Sequence, residues 1–335
     1  MQELTPFEGS HKPSVGQIAD YYARQHVFME EQQGKSYNTR RRYKNDLEIF
    51  SQYLEEAGLY LPEEELHNNP QSWGQISYGL VAGFVQWQLK KGYAIGSCNI
   101  RLFTVRKFAK LAFKAGAVNN ETCQLINSIK GISPTAGRNI DRDRQTKRCG
   151  RKKATPIFLS SEQVTQLKQQ PETPQGYRNL LLICLLVDLG LRCGEVGRAG
   201  EIEKLTAESI TFSNRTIRFY REKVDKWQTH RLSHDTIEAA RKYLPTIQAN
   251  GPLFYGYKGK ALCNNTINYI IKQSGKKIGI ANLSPHDLRH TWATNAARNG
   301  TPLHALKEAG GWTSTSTALS YLEANKIAND GVVLG

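Results

Sequence analysis

Residues 134–156, "PTAGRNIDRDRQTKRCGRKKATP", constrain the fold more than any other stretch of the chain. They carry almost no apolar side chains, many positive charges, and Pro or Gly at intervals, so they have little to bury. The run reads as a basic linker: a solvated tether, or a segment that also tracks a phosphate backbone. A chain of 335 residues interrupted in this way is expected to fold as two domains, each long enough to bury its own core. The expected layout is a loose lead-in at 1–13, a first domain over 14–133, the linker at 134–156, and a second domain over 157–335.

The first half reads as helical. "SVGQIADYYARQHVF" is followed by "NTRRRYKNDLEIFSQYLEEAG", with Leu47, Phe50 and Leu54 at helical spacing and Gly58 as a stop. "YGLVAGFVQWQLKKG" predicts a third helix. A fourth is predicted from Ser97, as cap, to Gly116, with Arg101, Arg106, Lys107 and Lys110 interleaved among apolar residues. In the second half, "LSSEQVTQLKQQ" predicts a capped helix and "YRNLLLICLLVDLGLRCGEV" a strongly apolar one ended by Gly190. Around residues 208–233 the pattern switches to strand alternation, Thr216, Arg218 and Tyr220 against Ile217 and Phe219, with "SNR" as a turn. From Asp235 onward the chain reads as helices again.

With 45 Lys+Arg against 30 Asp+Glu, the net charge is +15. That favours a polyanionic partner, with nucleic acid first. No run approaches the roughly 18 apolar residues of a spanning helix, and no opening stretch reads as a signal peptide. The expected location is therefore cytoplasmic, at the nucleoid. The six cysteines are scattered without C-x-x-C pairs, which suggests reduced structural thiols rather than a zinc ribbon or a disulfide framework.

"SPHDLRH", residues 284–290, has the marks of a helix start: Ser284 as cap, Pro285 in the first position, and Asp287 completing a Ser-x-x-Asp box. His286 then sits in the first turn with Arg289 one turn on, beside free backbone N–H groups that suit a phosphate. The same letters mimic H-E-x-x-H, with His286 and His290 as zinc ligands. That reading needs neutral imidazoles, a third ligand, and tolerance of a guanidinium beside a dication, and nothing else in the sequence supports it. Upstream, "GLRCGEV" places Arg192 after a glycine turn with Glu195 three residues later. "GRAGEI" follows as a near-duplicate that offers Arg198 and Glu201 as a rival register. Downstream, "AGGWTSTSTALSYL" sets Trp312 after a glycine pair and Tyr321 nine residues later.

Taken together, "GLRCGE", "HDLRH" and "AGGWT" with its following Tyr321 resemble the tyrosine recombinase (phage integrase) family, and the ending looks most like its Cre-type branch. The resemblance covers most of the chain. It implies a mainly α fold with a small β-sheet: a helical, SAM-like core-binding domain, then an α+β catalytic domain. It also implies site-specific DNA recombination without metal or cofactor. Tyr321 would attack phosphorus and form a 3′-phosphotyrosyl bond, and Arg192 and Arg289 would clamp the non-bridging oxygens. Glu195 would orient a neighbour, His286 would assist by proton transfer or hydrogen bonding, and Trp312 would offer an indole N–H and a packing surface for the tyrosine helix. The family's lysine, which protonates the leaving oxygen, falls on the strand pair as Lys223, with Lys226 as the alternative. Relatives carry a Leu about four residues past the Glu, whereas Leu205 lies ten past Glu195 and four past Glu201. Arg192 is nevertheless preferred, because "LLVDLGL" precedes it.

The resemblance further implies two domains clamping duplex DNA from opposite faces, with Arg40, Arg41, Arg101 and Arg106 as contact residues unless they merely face solvent. It implies inverted-repeat sites, a homotetramer, and strand exchange through a Holliday junction. The tail at 327–335 would dock on a neighbour, and the short lead-in suggests no separate arm-binding domain. Two other classes share part of this pattern. A type IB topoisomerase would relax DNA without pairing two sites, and a non-catalytic DNA-binding protein would keep the charge and lose the chemistry.

Overall fold

Local capping sets where most helices begin. In the computed structural model, which describes residues 14–146, 156–196, 205–248, 251–256 and 259–323, Ser14 caps α1 (Val15–Gln33) through a capping box with Gln17. Ser36 caps α2 (Tyr37–Glu56), Ser77 caps α4 (Tyr78–Lys90), Asn119 caps α6 (Asn120–Ser128) and Ser133 caps α7 (Pro134–Asp143). Between α2 and α4 lie α3 (Glu63–Asn68) and a 3-10 turn at Pro70–Gln75. The chain divides into two units, Met1–Lys152 and Lys153–Gly335.

The first unit is all helical among its described residues. Its core is aromatic: Phe50 lies 4.9 Å from Phe84 and 6.0 Å from Trp73, ring centre to centre, with Leu47, Leu54 and Phe108 buried around them. The predicted fourth helix begins earlier than the sequence suggested. It is α5 (Ile95–Lys114), and its cap is Ala94, which makes no side-chain cap bond. Ala94 is buried, so its packing, and not the hydroxyl of Ser97, sets the first turn. Helix α5 meets α2 through a polar link, where the Thr104 hydroxyl donates to the buried Asp46 at 2.7 Å. Residues 134–143, read as the start of the linker, form α7 instead, because Ser133 and Pro134 supply a cap and a first position.

The second unit packs helices around the apolar α9 (Pro174–Val187), whose residues from Leu181 to Leu186 are all fully buried. It contains α8 (Ser161–Lys168), α10 (Cys193–Val196), α11 (His234–Tyr243), α12 (Asn264–Lys277), α13 (Pro285–Arg298), α14 (Leu303–Gly310) and α15 (Thr315–Glu323). A three-stranded antiparallel sheet, β1 (Ile210–Thr211), β2 (Thr216–Arg221) and β3 (Lys226–Arg231), pairs Thr216 with Arg231 and Arg221 with Lys226. Residue 188 after α9 is tied down by three side chains: Lys168 pairs with Asp188 at 2.8 Å, and Ser233 and Thr236 donate to it at 2.7 and 3.3 Å. Gly190 follows with φ +63°, and a Cβ there would come within 2.2 Å of Trp292. The turn that delivers Arg192 therefore requires glycine. No helix among the described residues is long and apolar enough to cross a membrane.

Candidate active site

Three arginines from three separate elements converge on the end of α14. A helix leaves its last carbonyls without intrahelical partners and carries partial negative charge there. Here Arg192 donates to the carbonyls of Gly310 at 3.2 Å and Gly311 at 2.8 Å, and Arg221 donates to Gly310 at 2.8 Å and Ala309 at 2.7 Å. Arg289 donates to Gly310 and Gly190. Glu195 orients Arg192 by accepting from its backbone N–H and from its guanidinium, both at 2.7 Å, and it also takes Arg221 at 3.3 Å. Three guanidiniums against one carboxylate leave an excess of positive charge, which makes the cluster a place for an anion. Gly311 has φ +56°, and a Cβ there would come within 2.5 Å of Arg221. Gly311 thus lets Arg221 approach the backbone, whereas a Cβ at Gly310 would come within 2.4 Å of Trp312.

Burial, then the charge of Arg192, pulls the Arg289 guanidinium down to about 9, with Glu195 opposing. Burial likewise lowers Arg221 to about 10. Both stay charged at neutral pH. His230 on β3 is lowered to about 4, by burial first and then by Arg221, so it is neutral there.

Helix α13 starts as its sequence indicates. The Ser284 N–H and hydroxyl donate to Asp287 at 2.8 and 2.6 Å, and the Ile157 N–H donates to it at 2.9 Å. Asp287 is thereby committed to structure, and among the described residues no group of three His, Cys, Asp or Glu side chains is set to hold a metal ion. His286 is exposed and lies edge-on to His290, 4.4 Å between ring centres. It is His290 that reaches the tyrosine: its Nδ1 lies 2.8 Å from the Tyr321 hydroxyl oxygen. Trp312 stacks on the other side of Tyr321 at 5.4 Å, and the Arg289 guanidinium lies 4.9 Å from the Trp312 ring centre.

The turn end of the β2–β3 hairpin is bound to the same helix end. Gln228 donates to the Glu308 carbonyl at 3.0 Å, and Lys226 pairs with the Glu308 carboxylate at 3.3 Å. Lys223 stands on the 3-10 turn Glu222–Val224, exposed, and makes no hydrogen bond or ion pair among the described residues. The structure therefore gathers Arg192, Glu195, Arg289, Trp312 and Tyr321, with His286 at the edge and Lys223 at the hairpin tip. Arg198 and Glu201, the rival register, lie outside the described residues, as does the tail at 327–335.

Residues 158–327 match the model of the phage integrase family, and residues 27–116 match that of the phage integrase N-terminal SAM-like domain. The chain belongs to the phage integrase family. It is a tyrosine site-specific recombinase. Tyrosine recombinase XerC of Roseiflexus sp. is 24% identical over 300 residues, 86% of this chain and 84% of that protein. Tyrosine recombinase XerD of Staphylococcus epidermidis is 25% identical over 309 residues, 89% of this chain and 92% of that one. Among solved structures, the Tn1549 transposon integrase in complex with transposon right end DNA has the same fold, with a TM-score of 0.64 at 15% identity over 92% of this chain and 97% of that one. The likeness to the Cre-type branch rests on the "AGGWT" ending and Tyr321 alone.

In the recombinase's SAM-like unit the four candidate arginines are not alike. Arg40 and Arg41 are exposed in the first turns of α2. Arg101 is half-buried, stacks 4.2 Å over the ring of Tyr93, and donates to Gln88 at 3.2 Å. Arg106 is half-buried on α5. Two residues at the site escaped the sequence reading. Arg221 sits on the buried phase of β2 with Ile217 and Phe219, a phase the alternation would have disclosed had it been followed two residues further. His290 was noticed only as a metal spacing.

Proposed function

We propose that this recombinase cleaves and rejoins DNA through a covalent bond between Tyr321 and a 3′-phosphate, and exchanges strands between two inverted-repeat sites through a Holliday junction as a homotetramer. The observation that carries the reading is the convergence of Arg192, Arg289 and Glu195 beside Tyr321, which Trp312 stacks against and His290 hydrogen-bonds. Tyr321 attacks phosphorus. Each guanidinium has five N–H donors, so the backbone bonds of Arg192 and Arg289 leave others for the non-bridging oxygens, where negative charge builds in the transition state. Lys223, exposed on the turn at the hairpin tip, protonates the departing 5′ oxygen. His286, at the mouth of α13, bonds a phosphate oxygen. Arg40 and Arg41 contact DNA phosphates, and Arg101 and Arg106 back the same helices. The enzyme acts on chromosomal or element DNA at the nucleoid. The phosphotyrosyl bond retains the ester energy, so rejoining needs no nucleotide cofactor.

The test is incubation, in EDTA, with a nicked suicide duplex chosen by binding from a random-sequence pool. Wild type should give a covalent protein–DNA band and Tyr321→Phe none. Absence of a band from wild type on DNA that it binds would remove the proposal.

A further inference from the structure

His290 has no role in the mechanism above, yet it is the side chain hydrogen-bonded to the nucleophile. Its Nδ1 and the Tyr321 oxygen are 2.8 Å apart, with ring centres at 5.4 Å and planes inclined at 47°. The bond crosses from α13 to α15, whose mutual packing also holds Trp312 against the tyrosine ring. The phenol is thus held by an indole on its face and an imidazole at its oxygen. A neutral imidazole has one bare nitrogen, and a phenolic O–H facing that nitrogen is set for proton transfer in line with the hydrogen bond.

The electrostatics agree with that geometry. Burial first, and Arg289 with it, hold His290 below the ordinary histidine value, with Asp287 opposing. Burial raises the Tyr321 phenol above the ordinary value of 10.0, and Arg289 offsets part of this. The tyrosine is therefore protonated at neutral pH and must lose its proton to attack, while the imidazole is neutral and able to accept it. Among the described residues, the titratable and charged groups that face His290 are His286, Asp287 and Arg289 from its own helix and Tyr321 from α15.

We propose that His290 is the general base for cleavage, taking the Tyr321 proton as the phenolic oxygen attacks phosphorus. This rests on Tyr321 being the nucleophile. The O–H bond of Tyr321 breaks and an N–H bond forms at Nδ1; the P–O bond to tyrosine forms and the P–O5′ bond breaks. The 5′ oxygen leaves with a separate proton from Lys223. In rejoining, the 5′ hydroxyl attacks and gives its proton back to Lys223, tyrosine departs, and the imidazolium returns its proton to the phenolic oxygen. His286, edge-on to His290 at 4.4 Å between ring centres, lies beside the base.

The experiment measures the rate of covalent complex formation on the nicked duplex for wild type, His290→Ala and His290→Gln, with DNA affinity followed in parallel. Loss of a general base is expected to slow cleavage about 10²- to 10⁴-fold with affinity unchanged. The same variants are then made with a fluorinated tyrosine at 321 whose phenol ionises near neutral pH. A nucleophile that is already ionised needs no base, so the fluorinated His290→Ala protein should approach the rate of the fluorinated protein that retains His290. A 5′-bridging phosphorothiolate, whose sulfur leaves without a proton, should rescue Lys223→Ala and leave His290→Ala slow. Wild-type rates in both His290 variants would overturn the proposal. So would slow variants that fluorotyrosine fails to rescue, since His290 would then only position the ring. If His290→Ala no longer binds DNA, His290→Gln carries the same comparisons. A wild type with no covalent band would instead defeat the assignment of Tyr321.

Discussion

Two arginines of the first unit and two of the second are held in opposite ways. In the first, Arg40 and Arg41 stand in solvent on α2. In the second, Arg221 is fully buried and Arg289 is 3% exposed, and both are held on backbone carbonyls at the end of α14. Moving a charge out of water costs several kcal/mol, and a fold supports it only where partners are arranged in advance. An exposed arginine costs nothing to keep and offers affinity. A buried one is expensive, and what it offers is orientation at the moment charge develops. With Arg40 and Arg41 proposed for binding and Arg289 for chemistry, the same substitution in the two units should have different signatures.

The largest effect is expected at the buried end. Arg289→Ala should lower the cleavage rate by about 10²- to 10³-fold, the usual result of losing one preorganised donor, while DNA affinity stays within a few-fold. Arg289→Lys, which keeps the charge and loses the two-pronged donor, should recover only part of that rate. Gel quantification of covalent complex against time checks both.

A middle-sized effect concerns the stability of the second unit in acid. His230 is held down from 6.5 to about 4, by burial first and then by Arg221 and Arg289. Below its unfolded value the unfolded chain takes up a proton that the folded chain refuses. Stability is therefore complete above pH 6.5 and is lost as pH falls toward 4. At pH 5 the loss from this group is about 2 kcal/mol. Urea unfolding at pH 7 and pH 5 should show it in wild type, and His230→Gln should remove that part of the difference.

The smallest effect belongs to the exposed arginines. Arg40→Ala and Arg41→Ala should each weaken DNA binding a few-fold across sequences and reduce the salt slope by about one. The cleavage rate at saturating DNA should not change. A loss of rate in these variants, or of affinity alone in Arg289→Ala, would break the contrast between the units.

Much of this was legible where the signal is local. The start of α13 follows from Ser284, Pro285 and Asp287 because a capping box needs only neighbours in sequence. The strand pair followed from alternation, and the tyrosine and its stacking tryptophan from their motif. What stayed hidden depended on distant partners. Ser97 looked like a cap, but burial of Ala94 started α5 earlier. The stacking of Arg101 on Tyr93, eight residues before it, had no signal in the helical pattern. Arg221 broke the apolar pattern of β2, and its burial is explained by distant partners, Glu195 and the carbonyls of Ala309 and Gly310 almost ninety residues on. His290 resembled a metal ligand because spacing shows a shared helix face and says nothing of Tyr321 across from it.

The most direct test of the account is to trap the covalent complex on the nicked duplex, digest the protein, and identify by mass spectrometry the peptide that carries DNA. A single adduct on Tyr321 is expected. An adduct on any other tyrosine, such as the exposed Tyr269, would contradict it.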